Sequence, residues 1–353
     1  MVNCLTVSKL ASDIFLKNFV KNRTSNLPYV NSMQIFNDIH NAYFGGITEV
    51  YRPKGENLKY YDVNSLYPFA SYSDMPGLNA EYVHYFEEGI ELDNSLFGFF
   101  YLIKGYIFDK AKNSFKSYVD TLSHMKANSK DVTIKNLAKL LLNSLIGRCG
   151  MHPIQPITKI FFKDKVGDIL LTRKVTQEVE ITQNHTLLSY LPGPDSDLIQ
   201  EFELDDNKVC LKDLCNVDKQ TFIKNISIPV AAAVTSYARI FMSKVKLDIL
   251  KNNGKIFYSD TDSIITDIEL DKSLVDDKQI GKFKLEYDID LAVMPAPKVY
   301  CLKLKDPDNI LPAGKKIIMK AKGGSTRNLT IEDFIRMVDL VPMDIRKKSS
   351  ITD

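Results

Sequence analysis

Ile256-Phe257-Tyr258-Ser259-Asp260-Thr261-Asp262-Ser263-Ile264-Ile265 is the stretch on which the fold turns. Two short runs of β-branched and aromatic residues flank a polar, acidic centre. That is the pattern of a β-hairpin with carboxylates at its turn. Asp260 and Asp262 alternate along one arm, and period two predicts both side chains on one face of the sheet. Carboxylates held that close repel and raise one another's pKa, so a cation belongs between them. Their oxygens suit a hard divalent ion such as Mg²⁺, with Mn²⁺ as a substitute. Taken alone, Asp-Thr-Asp is equally an ordinary polar turn.

Further out, Lys59 to Val63 reads as a strand with Asp62 near its tip. If that strand neighbours the hairpin, three carboxylates can hold two metals about 4 Å apart, the arrangement for in-line displacement at phosphorus. Val132 to Ile146 reads as a helix on the spacing of Ile134, Leu137, Leu141, Leu142 and Leu145, ended by Gly147 and Gly150. Lys135, Lys139, Asn143 and Gly147 recur every four residues and form one polar stripe opposite the leucines. The lysines suit a triphosphate, Asn143 a sugar or base edge, and Gly147 a close approach. A plain amphipathic helix with a solvated lysine face fits the same spacing. Phe115 to Lys126 and Pro229 to Leu247 are further helices; Lys282 to Tyr287 and Val299 to Leu304 are further strands. Residues 151–225 read as short strands and loops, with a turn at Pro192-Gly193-Pro194. Helices and strands do not alternate as βαβ units, so the expected class is α+β with an antiparallel sheet.

Composition bounds the rest. The 353 residues are 44% hydrophobic and 25% charged, which excludes bulk disorder. No apolar run is long enough for a transmembrane helix, and the N-terminus lacks a signal-peptide layout, so neither membrane nor secretion is expected. Five scattered cysteines fit a reducing compartment rather than a disulfide scaffold. Net charge is only +2, but the basic residues cluster. Lys126 to Arg148 carries five against Asp131 alone, and Lys298 to Asn328 carries eight against Asp306 and Asp308. Such stretches follow a phosphate backbone or form solvated faces.

Taken together, the segments resemble the family B DNA polymerases. Tyr61-Asp62-Val63-Asn64-Ser65-Leu66-Tyr67-Pro68 is similar to motif A, Ala138 to Gly147 to motif B, and Tyr258 to Ser263 to motif C, in the right order. Lys298-Val299-Tyr300 resembles the Lys-x-Tyr signature, and Lys320-Ala321-Lys322-Gly323 the late motif that touches primer. Tyr43-Phe44-Gly45-Gly46 and Thr235 to Arg239 resemble the protein-primed branch of bacteriophages and organellar linear plasmids. The resemblance implies a polymerase palm with an antiparallel sheet, helical fingers and a shortened thumb. It implies that Asp62, Asp260 and Asp262 are catalytic, and that Asp62, Asp262 and the Val63 carbonyl hold two Mg²⁺ ions. Ser65, Lys126, Lys135, Lys139 and Asn143 would meet the deoxynucleoside triphosphate, and Tyr67 would exclude a 2′-hydroxyl. Tyr43, Gly45, Gly46, Gly147, Arg239, Lys298, Tyr300 and Lys320 would contact DNA template and primer. A terminal priming protein and a mitochondrial location are likewise implied by resemblance only.

The implied division is a linker remnant at 1–42, palm at 43–110 with motif A, fingers at 111–150, an insertion at 151–225, palm at 226–297 with motif C, and a thumb remnant at 298–353. Four departures mark the chain. Ile146 stands where motif B carries a tyrosine, residues 1–42 leave no room for an exonuclease domain, the span from Asp62 to Lys139 is short, and little follows Gly324. Proofreading is therefore expected to be absent, and the chain reads as a truncated copy of a longer polymerase. The alternative is an inactive relic that only binds nucleic acid. Two other readings fit single features: a glycosyltransferase Asp-x-Asp, which leaves Asp62 and the lysine helix unexplained, and a zinc site from Cys149, His152, Cys210 and Cys215, whose spacing is not a standard finger.

Overall fold

The computed structural model of the chain describes residues 6–20, 27–28, 30, 33–83, 96–101, 104–152, 155–191, 226–307, 316–323, 326 and 329–339. It divides into two compact units, one formed by Met1–Cys149 with Ser227–Asp353 and the other by Gly150–Ile226.

The larger unit is built on a seven-stranded sheet in which every neighbouring pair is antiparallel. Its strands are β1 (Thr48–Val50), β2 (Lys54–Val63), β9 (Ile256–Asp260), β10 (Ser263–Thr266), β11 (Phe283–Ala296), β12 (Val299–Leu304) and β13 (Ile317–Ala321), in the order β1-β9-β10-β2-β11-β12-β13. The hairpin arms β9 and β10 are almost wholly buried, as unbroken runs of Ile, Phe and Tyr require. Leu58, Tyr258, Ile265, Ile289, Met294 and Leu302 form one core cluster of this sheet. Burying side chains of that size stabilises the fold by roughly 1.5–3 kcal/mol each. The sheet thus fuses the two remote stretches: Asp62 on β2 stands opposite Ser263 on β10.

The larger unit also carries five α-helices ahead of the smaller unit, which pack mainly on other helices: α1 (Val7–Asn18), α2 (Met33–Asn41), α3 (Leu66–Ala70), α4 (Lys116–Asn128) and α5 (Val132–Cys149). A second small sheet orders β3 (Met75–Val83), β5 (Lys104–Ala111) and β4 (Leu96–Tyr101) as β3-β5-β4. The smaller unit holds β6 (Ile157–Phe162), α6 (Lys163–Leu170), β7 (Val175–Thr182) and β8 (His185–Tyr190), with Val166 of α6 packed on Leu188 and Tyr190. In the larger unit, α7 (Ile228–Lys251) starts with proline in its first turn, where the missing N–H is harmless. Its opening turns, Ile228 to Thr235, are buried all round. The last element, α8 (Ile331–Val338), inserts Phe334 against Val293 and Cys301.

Several expectations are corrected. The α5 helix does not stop at Gly147 but continues to Cys149. Its first half is not core, since Ile134 and Leu137 are exposed and burial begins at Ala138. Its apolar periodicity is real, but only the stretch from Ala138 onward is covered. Cys149 is fully buried, and burial pushes its thiol up to about 12, which disfavours the thiolate a zinc ion needs. Cys210, Cys215 and the turn at residues 192–194 lie outside the described residues.

Candidate active site

The hairpin turn separates the two aspartates that alternation placed together. The β9 arm ends at Asp260, and Thr261 takes φ +56°, a left-handed conformation that a β-branched residue adopts only when neighbours enforce it. Thr261 N–H donates to the Ile47 carbonyl at 2.9 Å, and Gly46 lies directly against the Thr261 side chain, where a methyl group would collide. Asp262 therefore lies in the turn, beyond the reach of the period-two rule. Asp260 is bound by Lys298 Nζ, at 2.6 Å to both carboxylate oxygens, and by the Thr48 hydroxyl at 2.7 Å. Burial opposes its ionisation, yet Lys298 and Thr48 together hold its carboxyl below the usual range. Asp260 borders one cavity with Lys298, Tyr300, Lys320 and Lys322, whereas Asp262 borders another with Asp62.

That second cavity, of 580 Å³, is the centre of the site. Alternation on β2 buries Tyr61 and Val63 and leaves Asp62 half-exposed between them. Val63 N–H donates to the Asp262 carbonyl at 2.8 Å, which fixes residue 262 beside the strand end. Burial, followed by the charges of Asp262 and Glu286, pushes Asp62 up to about 7; Lys139 and Lys284 act the other way. Asp262 is raised by burial and by Asp260, again opposed by Lys139. Among the described residues neither carboxylate has an ion-pair partner within 4 Å. Two half-buried, mutually repelling hard-oxygen donors beside Val63 fit a divalent cation. Among the described residues no three His, Cys, Asp or Glu side chains are grouped to hold a metal; Asp260 pairs with Lys298 and borders a different cavity from Asp62 and Asp262.

The other expected residues divide by position. Tyr43, Gly45, Val63, Ser65, Tyr67, Lys126, Lys139, Asn143 and Gly147 line the same cavity as Asp62 and Asp262. Ser65 has φ +58°, and its hydroxyl accepts from Lys126 Nζ at 3.0 Å. Burial, then the charge of Lys139, lowers the pKa of Lys126. Lys135, expected beside Lys139, borders a neighbouring cavity instead. Arg239 lies over the Phe44 ring at 5.4 Å, outside the lining. Tyr300 packs edge-on against Tyr258. Gly46 does not line the cavity; its place under Thr261 gives it a packing reason instead. Unforeseen lining residues are Thr235, Asp277, Lys284 and Glu286. Lys284 faces Asp62 across the β2–β11 ladder and bonds Glu286 at 3.0 Å. Their i, i+2 spacing marks one strand face, but only the ladder reveals which aspartate that face meets.

A family model described as DNA polymerase type B, organellar and viral, matches residues 1–102 and 85–252. A probable DNA polymerase of Podospora anserina is 35% identical over 382 residues, covering 95% of this chain and 31% of the relative. The chain belongs to the organellar and viral type B DNA polymerase family. A second family member, a probable DNA polymerase of Neurospora intermedia, is 30% identical, covering 93% of this chain and 37% of its own length. The chain thus spans about a third of the curated relatives it matches. Phi29 DNA polymerase, solved with primer-template DNA and incoming nucleotides, superposes with a TM-score of 0.67 at 18% identity, covering 94% of this chain and 63% of that one. An orthorhombic crystal form of the same polymerase gives 0.68. The type B polymerase fold, α+β on an antiparallel sheet, is therefore shared.

Proposed function

We propose that the chain is a template-directed DNA polymerase core, adding deoxynucleotides to a primer 3′-hydroxyl. The observation that carries this reading is the meeting of Asp62 and Asp262, from remote stretches, at adjacent strand ends under the Lys139–Asn143–Gly147 face of α5. In polymerase terms the seven-stranded sheet would be the palm, taking in β12 and β13 from the 298–353 segment expected as thumb, and α4 and α5 would be the fingers.

Asp62 and Asp262, with Val63, would hold two Mg²⁺ ions. Bound there, the ions would supply an acidified 3′-hydroxyl and charge stabilisation of the departing pyrophosphate. Lys139 and Lys126 would neutralise the triphosphate, Ser65 would accept from Lys126 and orient it, and Tyr67 would press on the sugar and exclude a 2′-hydroxyl. Asn143 and Gly147 would border the new base pair. Asp260 is a positioning residue: its bond to Lys298 holds that ammonium beside Tyr300 and Lys320, where primer phosphates would lie. Priming from a hydroxyl of a terminal protein, and a mitochondrial location, are parts of the same proposal; the organellar family description and the fungal relatives support them.

Primer extension with Mg²⁺ and deoxynucleotides tests the reading. The parent is expected to extend, and Asp262→Asn to lose at least about 10³-fold. DNA binding without Asp262-dependent extension would instead mark a relic that holds nucleic acid.

A further inference from the structure

A second cavity, of 440 Å³, adjoins the catalytic one and shares Asn64, Ser65, Lys126 and Asp277 with it. The Lys126–Ser65 hydrogen bond stands where the two cavities share their lining. The second cavity is cationic: Lys126, Lys135 and Lys278 line it, with His124, against the single carboxylate of Asp277. Its wall also includes Ser123, whose hydroxyl oxygen is buried and has no hydrogen-bond partner among the described residues. A donor buried without a partner is costly, and a ligand oxygen would satisfy it. Lys278 is held in place from its backbone. Its N–H and that of Gln279 donate to Asp276 Oδ1, at 2.8 and 2.6 Å, and the Asp276 carbonyl accepts from Asn64 Nδ2 at 2.8 Å. The loop that carries Lys278 is thus tied to the strand end that carries Asp62.

The geometry points to this second cavity as the receiving site for inorganic pyrophosphate after it leaves the catalytic cavity, with Lys278 and Lys135 as its anion-binding groups. This rests on the polymerase reading above. The chemistry suits the product rather than the substrate. The cavity meets the catalytic one on the side of the phosphate-directed lysine Lys126, away from Asn143 and Gly147, so it offers phosphate contacts without a base-pair surface. Pyrophosphate carries more charge per atom than the triphosphate tail of a nucleotide and needs no room for a sugar. Three lysines and one unpaired hydroxyl in a single lining are matched to it. In the forward direction the α–β phosphoanhydride bond has already broken, and the electron pair has left with the pyrophosphate. The cavity holds that anion and hastens its departure from the reacting centre.

Two measurements on the full chain test this. Calorimetric titration of Mg²⁺-pyrophosphate into the DNA-free protein is expected to show one site. Lys278→Ala should weaken it about tenfold, and Asp262→Asn should leave it within about twofold. Circular dichroism controls for folding; Lys278 is exposed, so its substitution is expected to leave the spectrum unchanged. In primer extension, Lys278→Ala should raise the inhibition constant of pyrophosphate about tenfold while the KM for deoxynucleotide moves less than twofold. Absence of pyrophosphate binding overturns the proposal, as does binding lost with Asp262→Asn but not with Lys278→Ala. An equal rise in nucleotide KM and pyrophosphate inhibition constant overturns it too, because Lys278 would then serve the triphosphate tail. Failure of primer extension alone strikes the polymerase reading and leaves the titration to decide the cavity.

Discussion

At Asp62, burial and the facing carboxylates of Asp262 and Glu286 oppose ionisation, so the fold without metal is burdened by the charge it holds. The sign follows. A carboxyl raised in the folded state to about 7 binds its proton more tightly there than in the unfolded chain. Stability of the metal-free protein should therefore fall as pH rises from about 4 towards 7. If Asp62 and Asp262 hold Mg²⁺ as proposed, the ion should reverse that loss, since the pair is brought together only in the folded chain. Asp62→Asn is expected to raise the Tm of the metal-free protein at pH 8 and to abolish the Mg²⁺-dependent rise. Thermal unfolding in chelator and in Mg²⁺ reads both. A lower Tm for the variant in chelator would show that Asp62 is not under like-charge stress. The aspartates themselves were legible in the sequence; the commitment of Asp260 to Lys298 was not, because it depends on where a left-handed residue turns the chain.

Among the elements, the meeting of the Tyr43–Gly46 turn with the hairpin and the course of α5 show how local pattern and packing divide the work. Gly46 leaves room for Thr261, whose strained φ is held by the Ile47 carbonyl. Gly46→Ala is expected to cost about 1–3 kcal/mol by overpacking. Adding Thr261→Gly should recover most of it, since the colliding side chain and the left-handed strain go together. Denaturant unfolding of the two single variants and the double variant measures that coupling. Gly147 is the opposite case. It lies inside α5, and a methyl group there meets nothing within 4 Å. Gly147→Ala should stabilise the fold by about 0.5–1 kcal/mol through helix propensity. It should also depress primer extension, because the methyl projects into the catalytic cavity. A variant both more stable and fully active would remove Gly147 from the site. Of the two expected glycine stops, Gly147 fails and Gly150 holds: the helix, packed on α1 and α4, runs through Gly147 and ends at Cys149, one residue before Gly150.

For the whole molecule, the chain leaves the larger unit at Cys149 and re-enters it at Ser227, and Ser227 N–H donates to the Cys149 carbonyl at 3.1 Å. Closing that gap asks almost nothing of the backbone. Replacing residues 152–225 with a short Gly/Ser linker is therefore expected to leave the larger unit cooperatively folded, with Tm shifted by less than about 5 °C. Differential scanning calorimetry decides it; loss of the transition would mean the larger unit needs residues 152–225 in order to fold. The proposed DNA contact belongs to the same scale, because net charge is nearly zero and local clusters such as Lys298, Lys320 and Lys322 must supply the attraction. Lys320→Ala, beside Lys298 and Tyr300, should lower the slope of log affinity against log salt by about one.

The amino-acid sequence by itself determined the hairpin, the α5 helix with its Lys139–Asn143–Gly147 face, the antiparallel α+β class and the order of three acidic and basic motifs, because each is a local periodicity or a short run of residue types. Only the tertiary structure decided that Asp62 meets Asp262 while Asp260 turns to Lys298, that Lys135 faces a different cavity from Lys139, and that Lys284 and Glu286 join the site. Those outcomes are set by strand register and by one left-handed turn, and such long-range geometry leaves no periodic trace along the chain.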